Sequence, residues 1–273
     1  EETEYVLMHA LSDECKIDTT EAIEYPPVAI SMGEKLIKSF KGDSLLPIPI
    51  CTYSNISLVQ APPKTKKTFF VSLLASAYLS GSNNFSGNIK GHRENKCIIH
   101  VDTEQGKWHA QKVFKRTIDM SGMKNADNYH TYALRTLSYK ERIKIIDFFL
   151  QHKYENIGFV FIDGIADLVS DVNNLEECNA CIQKLMQWSA KYDCHIMAVI
   201  HSNFGSDKPT GHLGSLLEKK AESQIQLEAN TVNDGMVTVK CKRSRNFPFE
   251  TFSFKINDFG YPEIVGDLYD PLK

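Results

Sequence analysis

From about residue 45 onward, apolar residues fall into short continuous runs separated by stretches with helical spacing. The runs "ISLVQ" (56–60), "KCIIHVD" (96–102), "YHTYALR" (129–135), "IGFVFIDGI" (157–165), "HIMAVIHSN" (195–203) and "SQIQLEA" (223–229) predict strands. Between them "TFFVSLLASAYLSG", "GKWHAQKVFKRTIDMSG", "SYKERIKIIDFFLQHKY", "NLEECNACIQKLMQWSAKYD" and "HLGSLLEKKAE" predict helices. Gly122 stops the second of these, and Ser138 with Glu141 has capping-box spacing at the start of the third. Strands that are apolar throughout and alternate with helices predict an α/β fold, a mainly parallel sheet covered on both faces. The tail changes rhythm: "MVTVKCKRSR" and "FETFSFKIN", with turns at Asn233-Asp234-Gly235 and Asp258-Phe259-Gly260, predict an antiparallel edge hairpin. Before residue 45 the pattern is weaker. Residues 1–30 are acidic and mixed, an arm with one helix at most; "ISMGEKLIKSF" (30–40) reads as a short helix, "GDSLLPIPICTYS" (42–54) as an extended lead-in, and "SNNFSGNIKGHREN" (82–95) as a loop. The expected division is an N-terminal arm or linker over 1–45 and one domain over 46–273.

Composition narrows the class. The 273 residues are 42% hydrophobic and 24% charged with net charge −3, ordinary for a globular chain and without a global basic field for nucleic acid. No apolar run reaches the roughly 18 to 20 residues that span a bilayer. Seven scattered cysteines in a chain with ample core point to reduced thiols and a cytoplasmic setting. Cys178 and Cys181 form a C-x-x-C on a helix with no second pair, so small core residues explain them better than a metal site. The chain opens on Glu1, not Met, which leaves room for a preceding segment.

The chemistry gathers at strand ends. "APPKTKKT" (61–68) follows the first strand and opens a helix. Its Lys67-Thr68 fits the end of the phosphate-cradling pattern G-x-x-x-x-G-K-[ST], whereas Ala61 and Lys66 stand where glycines belong. A left-handed Lys66 would cost roughly 1 kcal/mol, and Pro62 and Pro63 remove two N–H donors. Lys64, Lys66 and Lys67 add positive charge in return. Two further strands end in "D-T-E" (102–104) and "FID" (161–163), and a fourth ends in His201. In an open parallel sheet, ligands bind beyond these carboxyl ends. A helix N-terminus receives phosphate, Lys67 reaches the β- and γ-phosphates of ATP, Thr68 and Asp163 hold Mg²⁺, Glu104 orients or deprotonates water, and His201 touches the γ-phosphate. The phosphate-binding stretch is thus Ala61, Pro62, Pro63, Lys64, Thr65, Lys66, Lys67 and Thr68.

These residues resemble a RecA-like P-loop ATPase, closest to the plasmid RepA-type and DnaB-type hexameric helicases and the related ATPases of mobile elements. The resemblance covers about residues 45–265. "LVQAPPKTKKTFFVSLLASAYLSG" resembles Walker A, "CIIHVDTEQGKWHAQKVFKR" the strand bearing the catalytic acid, "IGFVFIDGIADLV" Walker B and "IMAVIHSNF" the sensor strand. "GHLGSLLEKKAESQIQLE" resembles the helix and strand that follow. "VKCKRSRNFPFE" resembles the basic hairpin that reaches a neighbour's γ-phosphate, which marks Arg243 and Arg245, and less so Lys242, as finger candidates. Loops of the form K-[ST]-[KR]-K-T occur among the mobile-element members, so this loop resembles a variant of that group.

The resemblance implies a RecA-like three-layer α/β/α fold, a homo-oligomeric ring of six subunits, single-stranded DNA as partner, and a primase or other replication domain upstream. "NFGSDKPTG" (203–211), with Lys208 its only cation, sits where a DNA loop would lie. Two rivals stay open. One is a nucleotide-binding or structural oligomerisation module with little hydrolysis, favoured by the altered loop. The other is a small-molecule kinase, disfavoured because no arginine-rich lid is present and the edge hairpin has no purpose in one.

Overall fold

An all-apolar strand is stable only where helices cover both of its faces, and the computed structural model arranges the chain accordingly. It describes residues 2–12, 16–21, 25–38, 42–124, 127–203, 206–229 and 235–265. In chain order the elements are α1 (Glu2–Leu11), β1 (Val28–Ile37), β2 (Ser44–Thr52), β3 (Ile56–Ala61), α2 (Lys67–Ser80), β4 (Ile89–Gly91), β5 (Cys97–Asp102) and α3 (Lys107–Ser121). There follow β6 (Tyr129–Ala133), α4 (Tyr139–Phe148), β7 (Ile157–Asp163), α5 (Leu175–Lys191), β8 (His195–His201), α6 (Gly211–Lys220), β9 (Ser223–Ala229), β10 (Met236–Ser244), β11 (Phe252–Ile256) and β12 (Pro262–Val265).

Nine strands form one sheet in the order β12-β11-β10-β9-β3-β8-β7-β5-β6. From β9 to β6 the neighbours are parallel. β10, β11 and β12 extend the β9 edge antiparallel. Every residue of β3, β5 and β7 is buried. One face packs on α2 and α3 through Phe70, Leu73, Leu74, Val113 and Phe114. The other packs on α4, α5 and α6 through Ile146, Ile182, Leu185, Leu213 and Leu217. The three-layer α/β/α fold with an antiparallel edge is as expected. So is the capping box: Ser138 accepts from the Glu141 N–H and the Glu141 carboxylate receives the Ser138 N–H at 2.8 Å. Cys178 and Cys181 are buried, free thiols in the α5 core.

One expected helix is corrected. Most of residues 30–40 lie in β1, which pairs antiparallel with β2 and β4 to make a separate three-stranded sheet. Gly33, at φ 70, donates to the Asn88 carbonyl and breaks any helical run. Pairing with a segment about 60 residues away overrides the local spacing. The stretch 82–95, expected as loop, contributes β4, which pairs with residues 30–32 of β1; Gly91 at its end lies against α2, where a Cβ would sit 2.3 Å from the Tyr78 Cα. The line expected at residue 45 falls inside β2. The turn expected at 233–235 lies mostly outside the described residues.

Candidate active site

Register alone brings the four strand ends together. Ala61 pairs with His201 across β3 and β8, and Asp102 with Asp163 across β5 and β7. Between them, Asp163 is level with Val199. A cleft of about 340 Å³ opens there, lined by Lys64 to Phe69, Glu104, Gln105, Val113, Arg116, Asp163 and His201. Ala61, Pro62 and Pro63 carry the chain up to this cleft without lining it.

The loop reaches α2 by two left-handed residues, Lys64 at φ 65 and Lys66 at φ 58, ψ 32. The backbone thus takes the glycine conformation at Lys66 with a lysine in place. Part of that strain, roughly 1 kcal/mol, is offset by the side chain, whose Nζ donates to the Gly235 carbonyl at 2.7 Å. Lys67 begins the helix almost fully buried, and its Nζ lies 2.8 Å from His201 Nδ1. Burial lowers the Lys67 pKa, while Asp163 and Glu104 pull it back up. With Lys67 donating to Nδ1, the imidazole carries its proton on Nε2, which faces Glu104 Oε1 at 3.6 Å. His201 therefore bridges the P-loop lysine and the candidate catalytic carboxylate. The His201 contact, followed by attraction from Lys67, holds the Glu104 carboxyl below the usual carboxylate range against its burial.

Two features aim Glu104. Asp102 accepts the Glu104 and Gln105 N–H groups at 3.0 and 2.7 Å, making the tight turn after β5. Gly164 leaves room for the side chain: a Cβ on it would lie 2.6 Å from Glu104 Oε1. Gly164→Ala is expected to keep the fold and nucleotide binding, because only the movable end of Glu104 must shift. It should slow turnover on the order of 100-fold through misplacement of that group. Steady-state hydrolysis beside a nucleotide-binding titration checks both halves.

Thr68 Oγ1 donates to Asp163 Oδ2 at 2.9 Å. Burial, then the nearby Glu104 charge, pushes the Asp163 carboxyl up from 3.8 to about 7. The pair suits a divalent cation. A hydroxyl and a buried carboxylate that lacks a full countercharge converge on one point, and no cluster of three or more His, Cys, Asp or Glu able to hold a metal exists among the described residues. Such a site fits Mg²⁺ arriving with phosphates, not a resident metal in a protein cage. Two pH effects follow. Cation-dependent nucleotide binding should strengthen as pH rises through about 7, since proton and cation compete for Asp163. Stability moves the other way: a raised folded pKa means the folded chain holds a proton the unfolded chain loses, so stability falls as pH rises from about 4 to about 7. Asp163→Asn should therefore melt higher than wild type at pH 8, with the gap closing toward pH 4. Equal melting temperatures at both pH values would contradict the assignment.

Arg116 was not singled out by sequence. On α3 it reads as one more surface base, yet it lines the cleft with its guanidinium carbon 3.7 Å from the Phe69 ring centroid. Burial pulls its pKa down to about 10, and Nη1 is buried with no hydrogen-bond partner among the described residues. The finger candidates are elsewhere. Arg243 is exposed near the end of β10, and Arg245 donates from Nη2 to the Lys220 carbonyl at 3.3 Å; neither lines this chain's own cleft. Lys242 donates to the Asp207 carbonyl and lies 3.8 Å from Glu218. In the loop after β8, the Asp207 carbonyl also receives Gln60 Nε2 at 2.7 Å, which ties that loop to the strand leading into the P-loop.

Residues 49–207, more than half of the chain, match the family model described as AAA domain. No curated protein matches the sequence. Among solved structures, the crystal structure of the RadB recombinase superposes with a TM-score of 0.56 at 16% identity, covering 78% of this chain and 92% of that one. At that identity the likeness shows the RecA-like fold and no more. No helix among the described residues is long and apolar enough to cross a membrane.

Proposed function

The chain belongs to the AAA domain family, and from that footing we propose that it is an ATP-hydrolysing motor acting on DNA, helicase-like, in the replication or mobilisation of a plasmid or mobile element. It is a RecA-like P-loop ATPase domain by fold and family. The observation that supports the ATP-hydrolysing part of that reading is the convergence of Lys67, Thr68, Glu104, Asp163 and His201 on one cleft at the carboxyl ends of adjacent strands. In this reading the loop N–H groups and Lys67 hold the phosphate chain. Thr68 and Asp163 hold Mg²⁺, which supplies neutralising charge when bound. Glu104 orients the attacking water, and His201, between Lys67 and Glu104, senses whether the lysine is occupied by phosphate.

Arg243 and Arg245 act in trans within a ring, likened to hexameric relatives. Their distance from their own cleft suits a neighbour's site, where an arginine would stabilise charge developing on the transferred phosphoryl group. An upstream replication domain belongs to the same proposal.

A second reading, a nucleotide-holding oligomer module that hydrolyses little, draws on the two left-handed lysines in the loop. Hydrolysis rates with and without single-stranded DNA, measured for wild type, Glu104→Gln and Lys67→Ala, separate the two. The motor reading expects a wild-type rate well above both variants and raised by DNA. A common background rate in all three, with nucleotide still bound by wild type, favours the module.

A further inference from the structure

The exposed face of α3 joins an exposed tryptophan to lysines that pair with no carboxylate among the described residues, and nothing in the ATPase chemistry accounts for it. The buried face, through Ala110, Val113, Phe114, Thr117 and Met120, packs into the core. The other face exposes Lys107, Trp108, Lys112 and Lys115. Trp108, Lys112 and Lys115 fall at i, i+4 and i+7, one stripe about 10 Å long. Trp108 is 61% exposed, with Lys112 Nζ 4.4 Å from its ring centroid and the His109 ring edge-on at 4.8 Å. Among the described residues none of the three lysines pairs with a carboxylate, and no acid occupies the first turn of α3.

We propose that this stripe is a binding surface for single-stranded nucleic acid, with a base stacked on Trp108 and backbone phosphates on Lys107, Lys112 and Lys115. The proposal deepens the DNA part of the reading above and does not rest on hydrolysis. Charge complementarity selects a polyanion, and the tryptophan selects one that carries planar rings. An exposed lysine over an indole is held weakly, whereas base stacking is the stronger interaction. A base can therefore displace Lys112 from the ring, and the freed ammonium then meets phosphate. The loop over 203–211 offers only Lys208 for the same task. α3 also begins two residues after Gln105 and three after Glu104, so a strand lying on it presses on the segment that carries the catalytic acid.

The chain has two tryptophans, and Trp188 is 2% exposed in the core, so emission changes on adding a strand report Trp108. Titration of the full chain with oligothymidylate, without nucleotide, should quench that emission. The log–log dependence of affinity on salt should have a slope of about −2, as expected for three phosphates neutralised on a single strand. Lys112→Ala/Lys115→Ala should weaken binding about tenfold or more and flatten the slope, with melting temperature and basal hydrolysis unchanged. Trp108→Ala should also weaken binding, about tenfold. Oligothymidylate binding that leaves the emission and the double variant unaffected overturns the proposal. So does equal quenching by polyglutamate, which would mark a surface for an acidic protein segment, or no binding at all. DNA-stimulated hydrolysis with silent Trp108 would sink this surface and leave the motor standing. Quenching without hydrolysis would do the reverse.

Discussion

Lys67→Ala is expected to lower ATP affinity by about 100-fold or more while the protein stays folded. The side chain emerges at the first residue of α2, inside the cleft, where burial already weakens its hold on a proton and two carboxylates restore it. In the proposed site a triphosphate would meet there one desolvated ammonium, the helix N-terminus and the more exposed Lys64 and Lys66. Losing one partner of a buried charge contact costs roughly 3 to 5 kcal/mol. Exposed lysines, screened by water, cannot replace it. The unliganded variant also leaves Asp163 and Glu104 without their nearest cation, so the Asp163 carboxyl should rise further. Calorimetric titration with ATP, beside a thermal melt, reads both quantities. An affinity within threefold of wild type would remove Lys67 from the phosphate site.

Glu104→Gln should leave binding within about threefold and slow hydrolysis by roughly 10²- to 10⁴-fold. Because His201 and Lys67 hold the Glu104 carboxyl below its ordinary range, it stays ionised at neutral pH and is a weak proton acceptor. In the proposed mechanism its contribution is then to orient and polarise water by accepting a hydrogen bond. Glutamine keeps the shape and loses the charge, so the loss should appear in single-turnover hydrolysis and not in affinity. Hydrolysis within a few-fold of wild type would assign the water to another group, with Gln105, which also lines the cleft, the next candidate.

The sequence displays the centre of the sheet because buried parallel strands leave continuous apolar runs, and "FVFID" or "IMAVIH" admits little else. It displays Lys67, Thr68, Asp163, Glu104 and His201 because each ends or follows such a run. What it hides is whatever depends on partners far along the chain. β1 looks helical until β2 and β4 claim its edges. Arg116 looks like a solvated base until its guanidinium is found over Phe69. Gly164 is an ordinary glycine in the one-dimensional text, and its importance is a distance to Glu104. The Lys67–His201 contact is likewise a product of register, which places Ala61 beside His201.

The strand order has a consequence for synthesis. β3, which delivers the P-loop, has β8 and β9 as its only sheet neighbours, and Lys67 and His201 are separated by 134 residues. A chain emerging from the ribosome therefore carries its phosphate loop long before any strand exists to hold it. Six residues meant for full burial, Ile56 to Ala61, stay without an edge partner until about residue 201 has emerged, and their second edge waits for β9. The cleft needs His201 as well as Lys67, so it stays incomplete until β8 has emerged. Parallel strands so distant in sequence close slowly, and this waiting interval is when a chaperone would meet the protein and when premature aggregation would begin.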